Sequence, residues 1–157
     1  MLLVALAAQV TYVDDGFGIR LDLPGPWTIS EQAEEEGTSF LVLEKGEGVA
    51  GVAYTTMPNL GNDQAMALLF MNQMIAEFGG EGLRVEGQGP VAVAGLSGYK
   101  KILSGTAGGY EGVARVVSFA YSGRVVILAF GRENAVSFTA QDAKDMDEFM
   151  AGLRFAF

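Results

Sequence analysis

The residues with chemistry to offer are carboxylates, lysines and hydroxyls, because the 157-residue chain contains no histidine and no cysteine. That inventory closes the Ser-His-Asp and Cys-His mechanisms, histidine- or thiolate-ligated metals and disulfides. A pair of acids is the remaining route to hydrolysis. A glycosidase needs two carboxylates about 5–10 Å apart across a cleft, and Glu44, Glu86 and Glu111 are the candidates on or near expected strands. Nothing in their spacing brings them together. The expectation is therefore no catalytic, no cofactor-binding and no metal-ligating residues.

Motif-like strings fail on context. Gly46-Glu-Gly48-Val-Ala-Gly51 matches G-x-G-x-x-G, but a phosphate loop must open a helix, and residues 49–56 have the pattern of a strand. Ser97 lies between short strands without a base. Asp14-Asp15 and Glu34-Glu35-Glu36 lack the alternating spacing of a calcium loop and read as solvated charge. Lys100 and Lys101, adjacent on a strand, point to opposite faces.

Charge narrows the partners. The net charge is −9, and residues 1–78 hold all of it: eleven acids stand there against Arg20 and Lys45 alone. The second half is balanced. Such a chain repels a phosphate backbone and an anionic leaflet, so nucleic acid is excluded as a partner.

The elements that must position these groups follow from periodicity. Half of the residues are hydrophobic, 18% are charged, and 22 glycines are spread along the chain. This composition suits one folded domain over residues 9–157 with many tight turns. Strands are expected at 9–13, 17–23, 39–44, 49–56, 91–93, 96–104, 110–121 and 124–132, forming mostly a meander. A helix at 139–152 has Thr139 as its cap and one apolar face. The helix at about 62–78 differs. Leu68, Met71, Met74, Ile75 and Phe78 make one stripe, while Met66, Leu69 and Phe70 lie on the side shared with Asn72, Gln73 and Glu77. A second stripe needs either another layer of protein or a partner. Met66, Leu69, Phe70 and Gln73 are the candidate partner-binding residues, with methionine suited to an adaptable surface.

Residues 1–8, Met-Leu-Leu-Val-Ala-Leu-Ala-Ala, have two readings: a truncated export signal with Ala5-Leu6-Ala7 as the small-x-small site, or a buried first element. The run is too short to span a bilayer.

Phe17-Gly-Ile-Arg-Leu-Asp-Leu-Pro24 followed by Trp27, a helix after Met57-Pro58, the Gly95-x-x-Gly98-Tyr99 turn and the closing Met150-x-x-Leu153-x-Phe155 together resemble the PsbP-like and DcrB-like domains. The resemblance implies an α+β fold: an antiparallel sheet of six to seven strands flanked by helices on both faces, an α/β/α sandwich. It also implies a non-enzymatic role, as an accessory or binding domain of the bacterial envelope that holds a protein or apolar partner in the periplasm or outside the cell. The alternative within the family is a cytoplasmic chaperone for apolar transmembrane segments of a secreted effector. The histidine-containing metal sites of the photosystem relatives have no counterpart here, which argues against a manganese role.

Overall fold

The computed structural model describes residues 9–156, apart from 62, 80, 81 and 108. The segment expected to be an export signal lies outside the described residues, as do the side chains of Phe78 and Tyr110. Ten strands and two helices follow one another: β1 Val10–Asp14, β2 Ile19–Leu23, β3 Thr28–Glu35, β4 Thr38–Lys45, β5 Gly48–Thr56, α1 Gln64–Gly79, β6 Leu83–Val93, β7 Leu96–Ala107, β8 Tyr110–Tyr121, β9 Arg124–Glu133, α2 Ala140–Ala151 and β10 Leu153–Phe155. A 3-10 turn, Pro58–Leu60, precedes α1.

Seven strands form one antiparallel sheet in the order β3-β4-β5-β9-β8-β7-β6. It is two meanders joined where β5 pairs β9, and α1 belongs to the connection that carries the chain from the middle of the sheet to the far edge. A second sheet, β1-β2-β10, is separate. Three assignments differ from the expected strands. β3 is a strand in spite of its acids, because it is an edge strand whose side chains nearly all face water and so carry no alternation. β6 extends from 83 rather than 91, its pattern broken by Gly87, Gly89 and a bulge between Val85 and Gly87. β10 is too short for periodicity to register.

The core divides by strand parity. Val126, Leu128 and Phe130 of β9 pack with Leu21 and Leu23 of the small sheet, Trp27, and Met146 and Phe149 of α2. Ile127 packs instead with Met71 of α1, Ala53 and Val116, and Val125 with Ala67 of α1. The expected α+β fold with a seven-stranded antiparallel sheet is present, but its helices do not make the two full layers of the expected sandwich. Only two helices are present among the described residues. The small sheet, which was not expected, shares the larger core cluster with α2. For its part, α1 lies over β7, β8 and β9, so on that face no helix among the described residues covers the sheet around β4.

Polar clasps hold the α2 layer. Trp27 Nε1 donates to Glu148 Oε1 at 2.6 Å, and Lys45 Nζ reaches Glu148 at 3.0 Å and Asp145 at 2.9 Å. The Trp27 indole and the Lys45 ammonium hold the Glu148 carboxyl below its ordinary value. Between the sheets, Tyr54 donates to Asp14 Oδ2 at 2.7 Å and meets the Tyr12 hydroxyl at 2.6 Å. Burial pushes the Tyr54 phenol well up, and these two neighbours add to the effect.

Candidate functional site

The position of α1 follows from its ends and its composition. Asp63 accepts from the N–H groups of Ala65 and Met66, satisfying donors of the first turn. The Gln64 amide brackets the backbone of Ala120, accepting from its N–H at 3.0 Å and donating to its carbonyl at 2.7 Å. The β7 ladder does not extend to Ala120, so Gln64 stands in for a strand partner. On the opposite flank Lys101 donates to Asn72 at 2.6 Å.

At about 100° per residue, Ala67 and Met71 point straight at the sheet, and both are fully buried. Leu68 and Ile75 fall on the β7 flank; Phe70, Met74 and Glu77 fall on the β5 flank. The two expected stripes are therefore largely one wide apolar arc centred on Met71. Each of the four candidate residues takes its own place. Phe70 is half-buried and packs against the Ala67 and Val125 cluster. Met66 is half-buried, Gln73 is exposed, and Leu69 is 47% exposed on the outer side.

A cleft of ≈ 580 Å³ opens on the β5 flank, where the helix leaves the sheet uncovered. Its apolar lining includes Phe40, Ala53, Phe70, Met74 and Ile127, and Gln73 reaches it from above. Glu77 rims it from α1, Glu35 from the end of β3 and Glu36 from the turn that follows. Of the candidates, Phe70 and Gln73 line this cleft, whereas Met66 and Leu69 do not. Sequence reasoning missed Phe40, Met74 and the two hairpin acids as members of one site. Glu77 carried a signal, lying one turn beyond Gln73 and two beyond Phe70.

Two other hollows adjoin the helices. One of ≈ 430 Å³ lies on the β7 flank of α1, lined by Ile75, Leu83, Leu103, Val116 and the glycines 105, 112 and 131. The other, ≈ 480 Å³, lies at the start of α2, where Arg132 is paired with Asp142 and Lys45 with Asp145, and Glu47 also lines it.

The three candidate catalytic acids do not converge by strand position. Glu44 on β4 is three strands from Glu111 on β8 and five from Glu86 on β6, about 14 and 24 Å at the usual strand spacing. Glu111 and Glu86, two strands apart, are offset along the sheet, because Glu111 pairs Thr106 of β7 whereas Glu86 sits at the bulge opposite Leu103 and Ile102. Glu86 accepts from Ser104 and lies near Arg84, and these two hold its carboxyl below its ordinary value, which weakens it as a base. Gly46 to Gly51 forms the β4–β5 hairpin and enters a strand. Among the described residues no group of three or more acids could hold a metal ion, and no helix is long and apolar enough to cross a membrane.

A seven-stranded antiparallel sheet with a small accompanying sheet, two helices and a cleft beside the first of them defines the class of protein: the chain has the PsbP-like fold. It is similar to the cyanobacterial PsbP (CyanoP) of Synechocystis sp. PCC 6803, with a TM-score of 0.60 at 14% identity over 99% of this chain and 97% of that one. It is also similar to the Ran-binding protein Mog1p of Saccharomyces cerevisiae, with a TM-score of 0.63 at 7% identity over 95% and 96% of the two chains. LpqN of Mycobacterium tuberculosis, involved in cell envelope biogenesis, superposes with a TM-score of 0.54 at 12% identity over 96% and 91%. No protein-family model and no curated protein matches the sequence.

Proposed function

We propose that the chain is a non-catalytic binding domain that holds a protein partner against the outer flank of α1, through Met66, Leu69, Phe70 and Gln73. The observation that carries this is Leu69. Leu69 is 47% exposed and, with the half-buried Met66 and Phe70, forms an apolar strip on α1 that continues into the cleft Phe70 lines. The separation of Glu44 from Glu86 and Glu111 and the engagement of Glu86 favour binding over acid-pair hydrolysis. Ran binding by yeast Mog1p supports a protein partner, and the involvement of mycobacterial LpqN in cell envelope biogenesis supports a bacterial envelope setting. In this proposal the domain runs over residues 9–157 and residues 1–8 are the end of an export signal.

A photo-crosslinking amino acid at position 69 tests the binding face, with Lys144 on the exposed side of α2 as the comparison site. A discrete heavier adduct in the producing cell is expected from position 69 and not from 144. Equal labelling from both positions would reject the α1 surface. A second proposal, a chaperone for apolar segments, is favoured by the apolar hollow on the β7 flank. Fractionation separates the two, because uncleaved chain confined to the cytosol would favour the chaperone.

A further inference from the structure

The cleft on the β5 flank of α1 has a chemistry that selects among partners. Three carboxylates stand at its rim, Glu35 and Glu36 on one side and Glu77 on the other, and no lysine or arginine among the described residues lines it. None of the three is in an ion pair with a described residue. The two cations of the first half of the chain are engaged elsewhere, Arg20 with Asp22 at 2.7 Å and Lys45 with Asp145 at 2.9 Å. Between the rims lie Phe40, Phe70 and Met74, half-buried, together with Thr38, Thr55 and Thr56. An occupant with positive charges and an apolar body complements both the acidic rim and the apolar side chains between the rims.

We propose that this cleft takes a cationic amphipathic polypeptide segment: an apolar side chain seats against Phe40, Phe70 and Met74 while flanking lysines or arginines meet Glu35, Glu36 and Glu77. This rests on the binding role proposed above and names its partner class. The volume, ≈ 580 Å³, accommodates one or two large side chains rather than a whole helix. The apolar surface continues out of the cleft from Phe70 over Met66 and Leu69, which extends contact beyond the reach of a small molecule. A polypeptide covers both; a compact organic cation would fill only the cleft.

The test uses the full chain and a fluorescein-labelled twelve-residue peptide of leucines flanked by lysines, a counterpart with every lysine replaced by glutamate, and benzyltrimethylammonium as the compact cation. Binding is followed by fluorescence anisotropy, or by competition for the ammonium. We expect the lysine peptide to bind at least tenfold more tightly than the glutamate peptide. Glu35→Gln with Glu77→Gln should weaken it about tenfold. The double variant Asp15→Asn with Glu44→Gln, which makes the same change in net charge at two exposed acids that line none of the hollows, should change it less than twofold. Equal loss in both double variants would reduce the effect to net charge and overturn the proposal, as would equal affinity for the two peptides. Displacement of the peptide by the ammonium at comparable concentration would overturn the polypeptide in favour of a small cation. A crosslink from position 69 that persists while these arms fail would leave the binding role standing and remove only this partner class. Circular dichroism and thermal melting of each variant confirm that the fold is intact.

Discussion

At the scale of single residues, the charges that are buried or half-buried around α2 are placed for structure. Asp142 shows this best, being 3% exposed at the start of α2. It accepts two bonds from Arg132, each at 3.0 Å, and also bonds from the Thr139 N–H and hydroxyl, completing a capping box. Burial alone would raise its carboxyl, but Arg132 and Thr139 together outweigh burial and hold it below the ordinary aspartate value. A folded value below the unfolded one means stability that is present above about pH 4 and lost as pH falls through the folded value. Replacing Asp142 by Asn should therefore cost about 2–3 kcal/mol at neutral pH. Urea titrations of the two proteins should draw together below about pH 4, and a gap that stays constant to pH 2 would show the loss to be steric. The cap itself was legible, since Thr139 followed three residues later by Asp142 before an apolar run is a helix start. The bond to Arg132 was not. It joins residues ten apart in sequence across a turn whose direction no local pattern specifies.

At the scale of elements, α1 separates what stabilises from what is available for contact. The sequence made its apolar residues plain but divided them wrongly into two stripes, because Ala67 was left out. Alanine carries little weight in a hydrophobic pattern, yet it marks where the helix comes closest to the sheet. With Ala67 and Met71 as the centre, Phe70 belongs to the edge of the core, and among the described large apolar side chains of α1 Leu69 alone lies clearly outside it. Met71→Ala should then lose about 2–5 kcal/mol, the usual range for emptying a filled core site. Leu69→Asp should stay within about 0.5 kcal/mol of the parent, as exposed substitutions do. Thermal or urea unfolding of the pair checks this directly. Comparable losses would place Leu69 in the core and withdraw it from the contact surface. The central strands were read nearly to their ends, since alternation is clear where one side of a strand meets a core. β3 and β6 were hidden or shortened for the opposite reason, being edges with little to bury.

At the scale of the whole molecule, those edges explain part of the charge asymmetry. The seven-stranded sheet ends at β3 and β6, and each offers a row of backbone groups to any passing strand. β6 is spoiled as a template by its bulge and by Pro90, which has no N–H to donate. β3 has a bulge only near its start, between Ile29 and Glu31, and the rest is a regular ladder with Glu31, Glu34 and Glu35 exposed. Two such edges brought together would stack like charges across a new ladder, where direct opposition is destabilising. The expectation for this stretch of chain is two separate tasks: Glu31 and Glu34 disfavour pairing along the β3 edge, while Glu35 and Glu36 lie at the cleft. These tasks can be separated. Glu31→Thr with Glu34→Thr leaves every rim acid in place and gives β3 two residues that favour strands. Sedimentation velocity across a concentration series should show the parent as one species and the variant forming dimers or larger assemblies, suppressed when either threonine is returned to glutamate. Peptide binding at the cleft should be unchanged in whatever monomer remains. A variant that stays monomeric at high concentration would show that β3 is protected by shape, and would assign its acids to the solvent alone.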